Sequence, residues 1–285
     1  MRLGGPVSLR DQNPETWIAD VNRWGYGAVV FPLEHSASDE AIRGYADAAA
    51  AADIVIAEVG AWSNPISPDD TVRTAAIAKC QNQLALADRV GARCCVNIAG
   101  SRGAAWDGPH PDNLTDATFD LIVDTTRAII DAVKPTRTHF TLEMMPWAYP
   151  DSPDSYLRLI RAIDREAFAV HLDPVNIVSS PERYFRTGDL IRECFAKLGP
   201  YIRNCHAKDI VLADRLTVHL DEVRPGLGIL DYATFLREVS RLDPDTSLIV
   251  EHLKEADEYQ AAVDYIRGVA EREGTPFIGG WPSAA

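Results

Sequence analysis

The stretch TLEMMPW, residues 141–147, places a carboxylate in the middle of an apolar run. Apolar side chains flank Glu143 on both sides, which indicates the end of a buried strand. An ionised carboxylate in such a place is costly unless a positive group meets it. No Lys or Arg follows nearby, and the nearest upstream basic residues are Arg137 and His139. The stretch therefore predicts a strand that ends at a site with a positive partner for Glu143.

Short apolar or β-branched runs of this kind recur along the whole chain, and amphipathic helical stretches lie between them. Eight strands that alternate with helices over about 250 residues are typical of a closed barrel. A doubly wound open sheet usually begins with a glycine-rich phosphate motif, and LGGPVSLR is not one. We therefore predict an α/β fold, a (β/α)8 TIM barrel, as a single domain over residues 1–285. The predicted strands are Arg2–Gly4, Ala28–Pro32, Asp53–Val59, Arg93–Ala99, Thr138–Met144, Ala167–Asp173, Ile202–His206 and Ser247–His252.

The composition excludes several classes of function. The chain of 285 residues carries a net charge of −14, which argues against nucleic acid as a partner because phosphate affinity comes from clustered Lys and Arg. No apolar run reaches the roughly 18 residues of a membrane span, and the first residues lack an apolar secretory stretch. The five cysteines are odd in number, which favours buried thiols in the cytoplasm over a disulfide framework.

The last four predicted strands each end on a strong metal-ligand type: Glu143, Asp173, His206 and Glu251. Each is separated from the next by about one βα unit. Successive strand ends meet at the carboxyl-terminal mouth of a barrel, where barrel enzymes keep their sites. Carboxylates brought this close repel one another unless a cation lies among them. The pattern predicts one divalent metal ion as the partner of Glu143.

In these motifs the chain resembles the xylose isomerase-like TIM barrels, which include sugar-phosphate isomerases, ketose 3-epimerases and inosose dehydratases. The matching stretches are LEMMP, HLDPVN, CHAKD, RPGLGILDY and VEHL, in that order. The resemblance implies that Glu143, Asp173, His206 and Glu251 hold Mn²⁺, or alternatively Mg²⁺ or Co²⁺. It also implies that Glu143 and Glu251 are the catalytic acid–base pair. Hard oxygen ligands with one imidazole agree with this choice of metal.

The expected function is that of a metal-dependent isomerase or epimerase of a small carbohydrate, a keto-sugar or related polyol. A metal-bound carbonyl acidifies the neighbouring C–H, and a carboxylate on either side can remove and return the proton. The alternative is a lyase or dehydratase of a 3-oxo sugar or inosose, including a C-glycoside-cleaving subunit that works with a small partner subunit. We expect a homo-oligomer, or a hetero-oligomer with such a subunit. An apurinic endonuclease, which uses the same barrel, is another alternative. It would need more than the seven histidines of this chain and a basic groove, and this acidic sequence indicates neither.

Seven further residues are candidates for substrate contact. Ketose 3-epimerases carry a His at the position of Asn176 and an Arg at that of Leu212, and this departure weakens a specific epimerase assignment. Lys208 matches the Lys of the family's His-x-Lys-Asp motif. Tryptophans at the mouth would stack on a sugar or on an aromatic group. The candidate set is Asn176, Lys208, His171, Trp147, Trp62, Glu34 and His35.

Overall fold

Eight parallel strands close into a barrel in the computed structural model, which describes residues 1–280. The barrel strands are β1 Arg2–Gly5, β2 Ala28–Val30, β3 Val55–Gly60, β4 Cys94–Asn97, β5 Phe140–Glu143, β6 Phe168–Leu172, β7 Ile202–Ala207 and β10 Ser247–Val250. The strand order around the ring is β1-β10-β7-β6-β5-β4-β3-β2, and β1 pairs with both β10 and β2. The predicted α/β fold, a (β/α)8 TIM barrel, is confirmed. The last five residues of the predicted 1–285 domain lie outside the described part of the chain.

Helices cover the outside of the barrel, and local sequence sets their ends. Asp69 begins the longest of them by accepting hydrogen bonds from two backbone amides, and Gly91 ends it with a φ of 70°. None of the helices in residues 1–280 is long and apolar enough to cross a membrane. The helices are α1 Pro14–Arg23, α2 Asp39–Ala51, α3 Asp70–Val90, α4 Asp116–Val133, α5 Pro153–Ile163, α6 Pro181–Tyr184, α7 Thr187–Leu198, α8 Tyr232–Val239 and α9 Ala256–Glu273.

Side chains alternate along each strand between two environments. In β7, Cys205 belongs to the large apolar core between barrel and helices, whereas Asn204 and His206 are buried polar residues. Inside the barrel the apolar packing is small and consists of Ala28, Ala57 and Ile249. Most buried apolar side chains of the strands thus point outward to the helices, and the side chains that point into the barrel include polar groups.

A two-stranded antiparallel hairpin follows β7, and the sequence patterns did not predict it. Its strands are β8 Asp209–Leu212 and β9 Leu220–Val223. The Asp209 carboxylate accepts hydrogen bonds from the backbone amides of Gly226 and Leu230, which anchors the loop after β9. A Cβ at Gly228 would lie 2.2 Å from Asp209 Oδ1, so this close approach requires glycine. The hairpin also folds back far enough to place Glu222 of β9 3.6 Å from Lys208 Nζ, beside the carboxyl-terminal end of β7.

Candidate metal centre

The four predicted metal ligands meet at the carboxyl-terminal end of the barrel. Glu143 ends β5, Asp173 directly follows β6, His206 lies in β7 and Glu251 directly follows β10. One ligand atom from each lies within 4.8 Å of those of the other three. Metal–oxygen and metal–nitrogen distances of about 2.0–2.6 Å are compatible with such a spacing around one ion.

Asp173 is held so that one carboxylate oxygen is left for a ligand. Its Oδ1 accepts hydrogen bonds from the backbone amides of Val175 at 3.0 Å and Asn176 at 3.2 Å. Its Oδ2 is buried and accepts no hydrogen bond from residues 1–280. Lys208 Nζ lies 2.8 Å from this oxygen, at an ion-pair distance without hydrogen-bond geometry. A buried carboxylate oxygen of this kind fits a metal ligand.

His206 directs Nδ1 towards the carboxylates. Nδ1 lies 2.7 Å from Glu251 Oε1, 3.2 Å from Glu143 Oε1 and 3.9 Å from Asp173 Oδ2. The imidazole is fully buried, whereas the side chain of Glu251 is 13% exposed. Three oxygens and one nitrogen thus lie close together, a donor set that suits a divalent metal ion.

The acidities in this cluster reflect crowding of charge. Burial raises the pKa of Glu143, but the charges of Lys208 and His206 outweigh it and hold that pKa well below its usual range. Burial also raises the pKa of Glu251, but the positive charge of His206 outweighs burial and lowers this pKa to about 2. Burial raises the pKa of Asp173 to about 7, because the positive charge of Lys208 offsets only part of the effect of burial. The cluster therefore holds carboxylates that a cation would stabilise.

Asn176 and Lys208 connect the ligands to the cavity. Asn176 Nδ2 donates to Glu143 Oε1 and to the Met144 carbonyl, both at 3.0 Å. Lys208 Nζ donates to Asn176 Oδ1 at 3.3 Å and lies 2.8 Å from Glu251 Oε1. Burial lowers the pKa of the ammonium, but the surrounding carboxylates raise it well above the ordinary value. Lys208 is thus a charged donor at the floor of the site.

A cavity of about 490 Å³ opens above the cluster, large enough for a sugar-sized ligand. Glu143, Glu251, Asn176 and Lys208 form part of its polar floor. Three partly exposed tryptophans line its walls, namely Trp62, Trp106 and Trp147.

Residues 18–269 match the family model described as xylose isomerase-like TIM barrel. The chain belongs to this family. A search of curated proteins finds no match to the chain.

Solved structures share the fold of this xylose isomerase-like TIM barrel at low sequence identity. D-psicose 3-epimerase from Clostridium cellulolyticum, solved with D-tagatose, has a TM-score of 0.68 and 16% identity, covering 94% of this chain and 99% of the other. A xylose isomerase-like protein from Mycobacterium smegmatis in complex with magnesium has a TM-score of 0.66 and 18% identity, covering 91% and 90%. Endonuclease IV from Thermus thermophilus has a TM-score of 0.72 and 12% identity, covering 95% and 100%. Identities this low show the fold alone.

Four of the predicted substrate residues of this xylose isomerase-like barrel line the cavity: Asn176, Lys208, Trp147 and Trp62. The other three do not line it. His171 is fully buried and packs its ring 4.0 Å from that of His206. The chain after β2 turns towards α3, so that the backbone amide of His35 donates to Gln83 at 3.0 Å. Glu34 and His35 lie outside the cavity. For these three residues, contact with a substrate stays a prediction.

Sequence patterns missed two polar residues at the mouth of this xylose isomerase-like barrel. Glu222 in β9 lies 3.6 Å from Lys208 Nζ and lines the cavity. His252 follows Glu251, also lines the cavity, and places Nδ1 3.1 Å from Glu222 Oε1. Glu222 reaches the site only because the hairpin folds back, and its stretch LDEV carries no motif that could have shown this.

Proposed function

We propose that the protein is a divalent-metal-dependent isomerase or epimerase of a keto-sugar. The observation that carries the proposal is the approach of two glutamates, Glu143 and Glu251, to one imidazole nitrogen at the floor of an open cavity. They come from β5 and β10, which are not neighbours in the sheet. Two carboxylates in such an arrangement suit removal of a proton by one and its return by the other.

Each side chain has a role that follows from its contacts. A bound Mn²⁺, or Mg²⁺ or Co²⁺ in its place, would be held by Glu143, Asp173, His206 and Glu251 and would polarise the substrate carbonyl, acidifying the neighbouring C–H. The lowered pKa values of Glu143 and Glu251 keep both as carboxylates at neutral pH, the form that a base requires.

Lys208 and Asn176 are the proposed substrate-binding donors. Both line the cavity beside Glu143, and the Lys208 ammonium has three protons to share among its acceptors. Lys208 would donate to a substrate oxygen on which negative charge develops. Asn176 would orient both Glu143 and a substrate hydroxyl, in place of the imidazole expected in a ketose 3-epimerase.

Two relatives support the proposal by analogy. The D-psicose 3-epimerase structure was solved with D-tagatose, and the Mycobacterium smegmatis barrel was solved with magnesium. Both share the fold, and neither identity exceeds 18%. The side-chain geometry of this chain therefore remains the main support.

The proposal is tested by metal analysis of the purified protein, followed by a panel of ketoses, keto-inositols and 3-oxo-glycosides in D₂O. We expect about one divalent ion per chain and incorporation of deuterium next to the carbonyl of at least one class. Glu143→Gln and Glu251→Gln test the role of each glutamate in this exchange, because Gln keeps the volume of Glu but cannot act as a base at neutral pH. Exchange at equal rates in wild type and both variants would contradict the proposal.

A second candidate is elimination from a 3-oxo sugar or inosose, or cleavage of a C-glycoside with a small partner subunit. The observation that favours it is the wall of three tryptophans, Trp62, Trp106 and Trp147, which would also suit an aromatic group. Loss of a leaving group from the deprotonated substrate would replace return of the proton. The products separate the two candidates, since only elimination releases water or an aglycone. Activity that requires a co-expressed subunit would favour the C-glycoside reaction.

We further propose a cytoplasmic protein in which residues 1–285 form a single domain, assembled as a homo-oligomer or with that small subunit. The five cysteines support this location, because all are buried and unpaired. Light scattering of the purified chain tests the assembly state.

A further inference from the structure

The two ring nitrogens of His206 face different surroundings. Nδ1 faces the carboxylates of Glu143, Asp173 and Glu251. Nε2 faces a fourth carboxylate on the opposite side, with Glu58 Oε2 at 3.3 Å. The ring therefore lies between the proposed metal position and a buried carboxyl group that is outside the proposed ligand set.

Glu58 is itself held in place. It lies in β3, is 3% exposed, and its Oε2 accepts a hydrogen bond from Asn204 Nδ2 at 2.6 Å. Asn204 precedes His206 by two residues in β7, so both side chains point into the barrel. Both are fully buried. Burial and this short hydrogen bond restrict the Glu58 carboxylate to a position beside the His206 ring.

The location of one proton in the metal-loaded protein follows from these contacts. The metal-free ring can carry a proton on each nitrogen, and this charged form is the one that lowers the pKa of Glu143 and Glu251. A ligating imidazole is neutral, with one N–H and one acceptor nitrogen, and a carboxylate only accepts. A proton on Nε2 gives Glu58 a donor and leaves the Nδ1 lone pair for the ion, whereas a proton on Nδ1 would leave Nε2 and Glu58 as two acceptors in contact.

We infer that Glu58 is the positioning residue of the metal centre: it holds His206 as the Nε2–H tautomer and so makes Nδ1 the coordinating atom. This inference rests on the proposed function and deepens it. Carboxylates that accept the second N–H of a ligating histidine fix its tautomer and raise its basicity, and their loss typically weakens metal binding by about 10–100-fold. Glu58 also lines the cavity, and in the inferred role it acts on the ion through His206.

The first test needs no variant. Long-range ¹H–¹⁵N correlation spectra of the wild-type protein loaded with Mg²⁺, which is diamagnetic, report which nitrogen of His206 carries the proton. We expect Nε2 to carry it. A metal-loaded protein with the proton on Nδ1 would overturn the inference.

The second test measures Mn²⁺ affinity by titration calorimetry in three variants whose folding is checked by circular dichroism. Glu58→Leu removes the acceptor, and we expect a dissociation constant about 10–100-fold weaker. Glu58→Gln keeps the volume and one acceptor oxygen, and we expect an intermediate loss. Glu222→Gln is the matched control, since it removes a cavity carboxylate that contacts Lys208 and His252 instead of His206. Its effect should stay below about fivefold, as for other partly exposed ion pairs.

The outcomes separate the inference from the proposed function. Wild type that binds no Mn²⁺ overturns the proposed function and this inference with it. If wild type binds one ion, and the Glu58 variants bind Mn²⁺ as tightly as Glu222→Gln does, the inference is overturned and the proposed function is not. Glu58, His171 and His206 also lie close enough together to share an ion. Two ions in wild type and one in Glu58→Gln would make Glu58 a ligand and overturn its positioning role. Should Glu58→Leu fail to fold, Glu58→Gln and the spectra of the wild type decide.

Discussion

Replacing Tyr156 by Phe should loosen the wall of the barrel that carries two of the proposed ligands. The Tyr156 hydroxyl, fully buried on α5, reaches the backbone of both β5 and β6. It lies 2.7 Å from the Leu142 carbonyl and 2.9 Å from the Ala169 carbonyl, and it accepts from the amides of Leu142 at 3.2 Å and His171 at 3.3 Å. The Tyr156 hydroxyl thus contacts four main-chain groups of two adjacent strands.

The magnitude follows from the groups that lose a partner. A hydroxyl donates one hydrogen bond and accepts two, so Tyr156→Phe removes three hydrogen bonds. The main-chain groups keep their partners in the β5–β6 ladder, where Leu142 pairs with Val170. At about 1 kcal/mol for each hydrogen bond lost, we expect a loss of about 3 kcal/mol in the free energy of unfolding. At roughly 2–4 °C per kcal/mol, the melting temperature should fall by about 6–12 °C.

Tyr232→Phe is the matched control, because Tyr232 is also buried but its hydroxyl makes one hydrogen bond within residues 1–280, to the Lys208 carbonyl at 2.8 Å. We expect a loss of about 1 kcal/mol for this variant. The assay is thermal and urea unfolding of wild type and both variants in excess chelator, which keeps metal binding out of the comparison. Equal unfolding midpoints for the two variants would refute the reasoning. The four contacts of the Tyr156 hydroxyl would then stabilise the fold no more than the single hydrogen bond of the Tyr232 hydroxyl.

Further predictions concern the proposed chemistry. At saturating Mn²⁺, Glu251→Gln and Glu143→Gln should each slow substrate deuterium exchange by about 10²–10⁴-fold while folding normally, and a wild-type rate in either variant would leave that residue a ligand only. Mn²⁺ at 100 times its dissociation constant should stabilise wild type by about 2.7 kcal/mol in thermal unfolding. Asp173→Ala should lose both the ion and this stabilisation, and unchanged metal content would remove Asp173 from the ligand set. Mn²⁺ affinity, measured by calorimetry, should decrease as the pH falls through 7, because the pKa of Asp173 is raised to about 7 and its proton competes with the cation. Trp147→Ala should raise KM more than it lowers kcat, and the reverse in steady-state assays would argue against a stacking role.

The sequence predicted the strands, and the convergence of the four candidate ligands, because both depend on local order. Hydrophobic runs located all eight barrel strands, and strand ends of a parallel barrel meet by topology, so Asp173 and Glu251 could be placed together without any contact information. The predicted bounds were slightly long. Strand β10 ends at Val250, whereas the prediction extended to His252. The identity of the four candidate ligands was thus accessible from spacing alone.

Contacts across the barrel interior were not accessible in that way. Glu58 in β3 meets His206 in β7, although β3 pairs only with β2 and β4. Spacing along the chain carries no information on which inward side chains meet across the barrel. The same limit applies to Glu222, which reaches Lys208 through the hairpin. His35 lies outside the cavity for a different reason, because a strand-end position does not fix the direction in which the following loop turns.

The support of the ligands differs from one to the next, and this difference bears on their roles. Asp173 is fixed by two backbone amides, Glu143 by Asn176, and His206 by Glu58. Glu251 Oε1 accepts no hydrogen bond from residues 1–280, and its side chain is the most exposed of the four. Positions locked by several contacts hold geometry well, whereas a group that moves a proton must adjust as the charge on it changes. Of the two proposed acid–base residues, Glu251 would therefore have the greater freedom to leave and rejoin a bound ion, and Glu143 would be the more rigid partner.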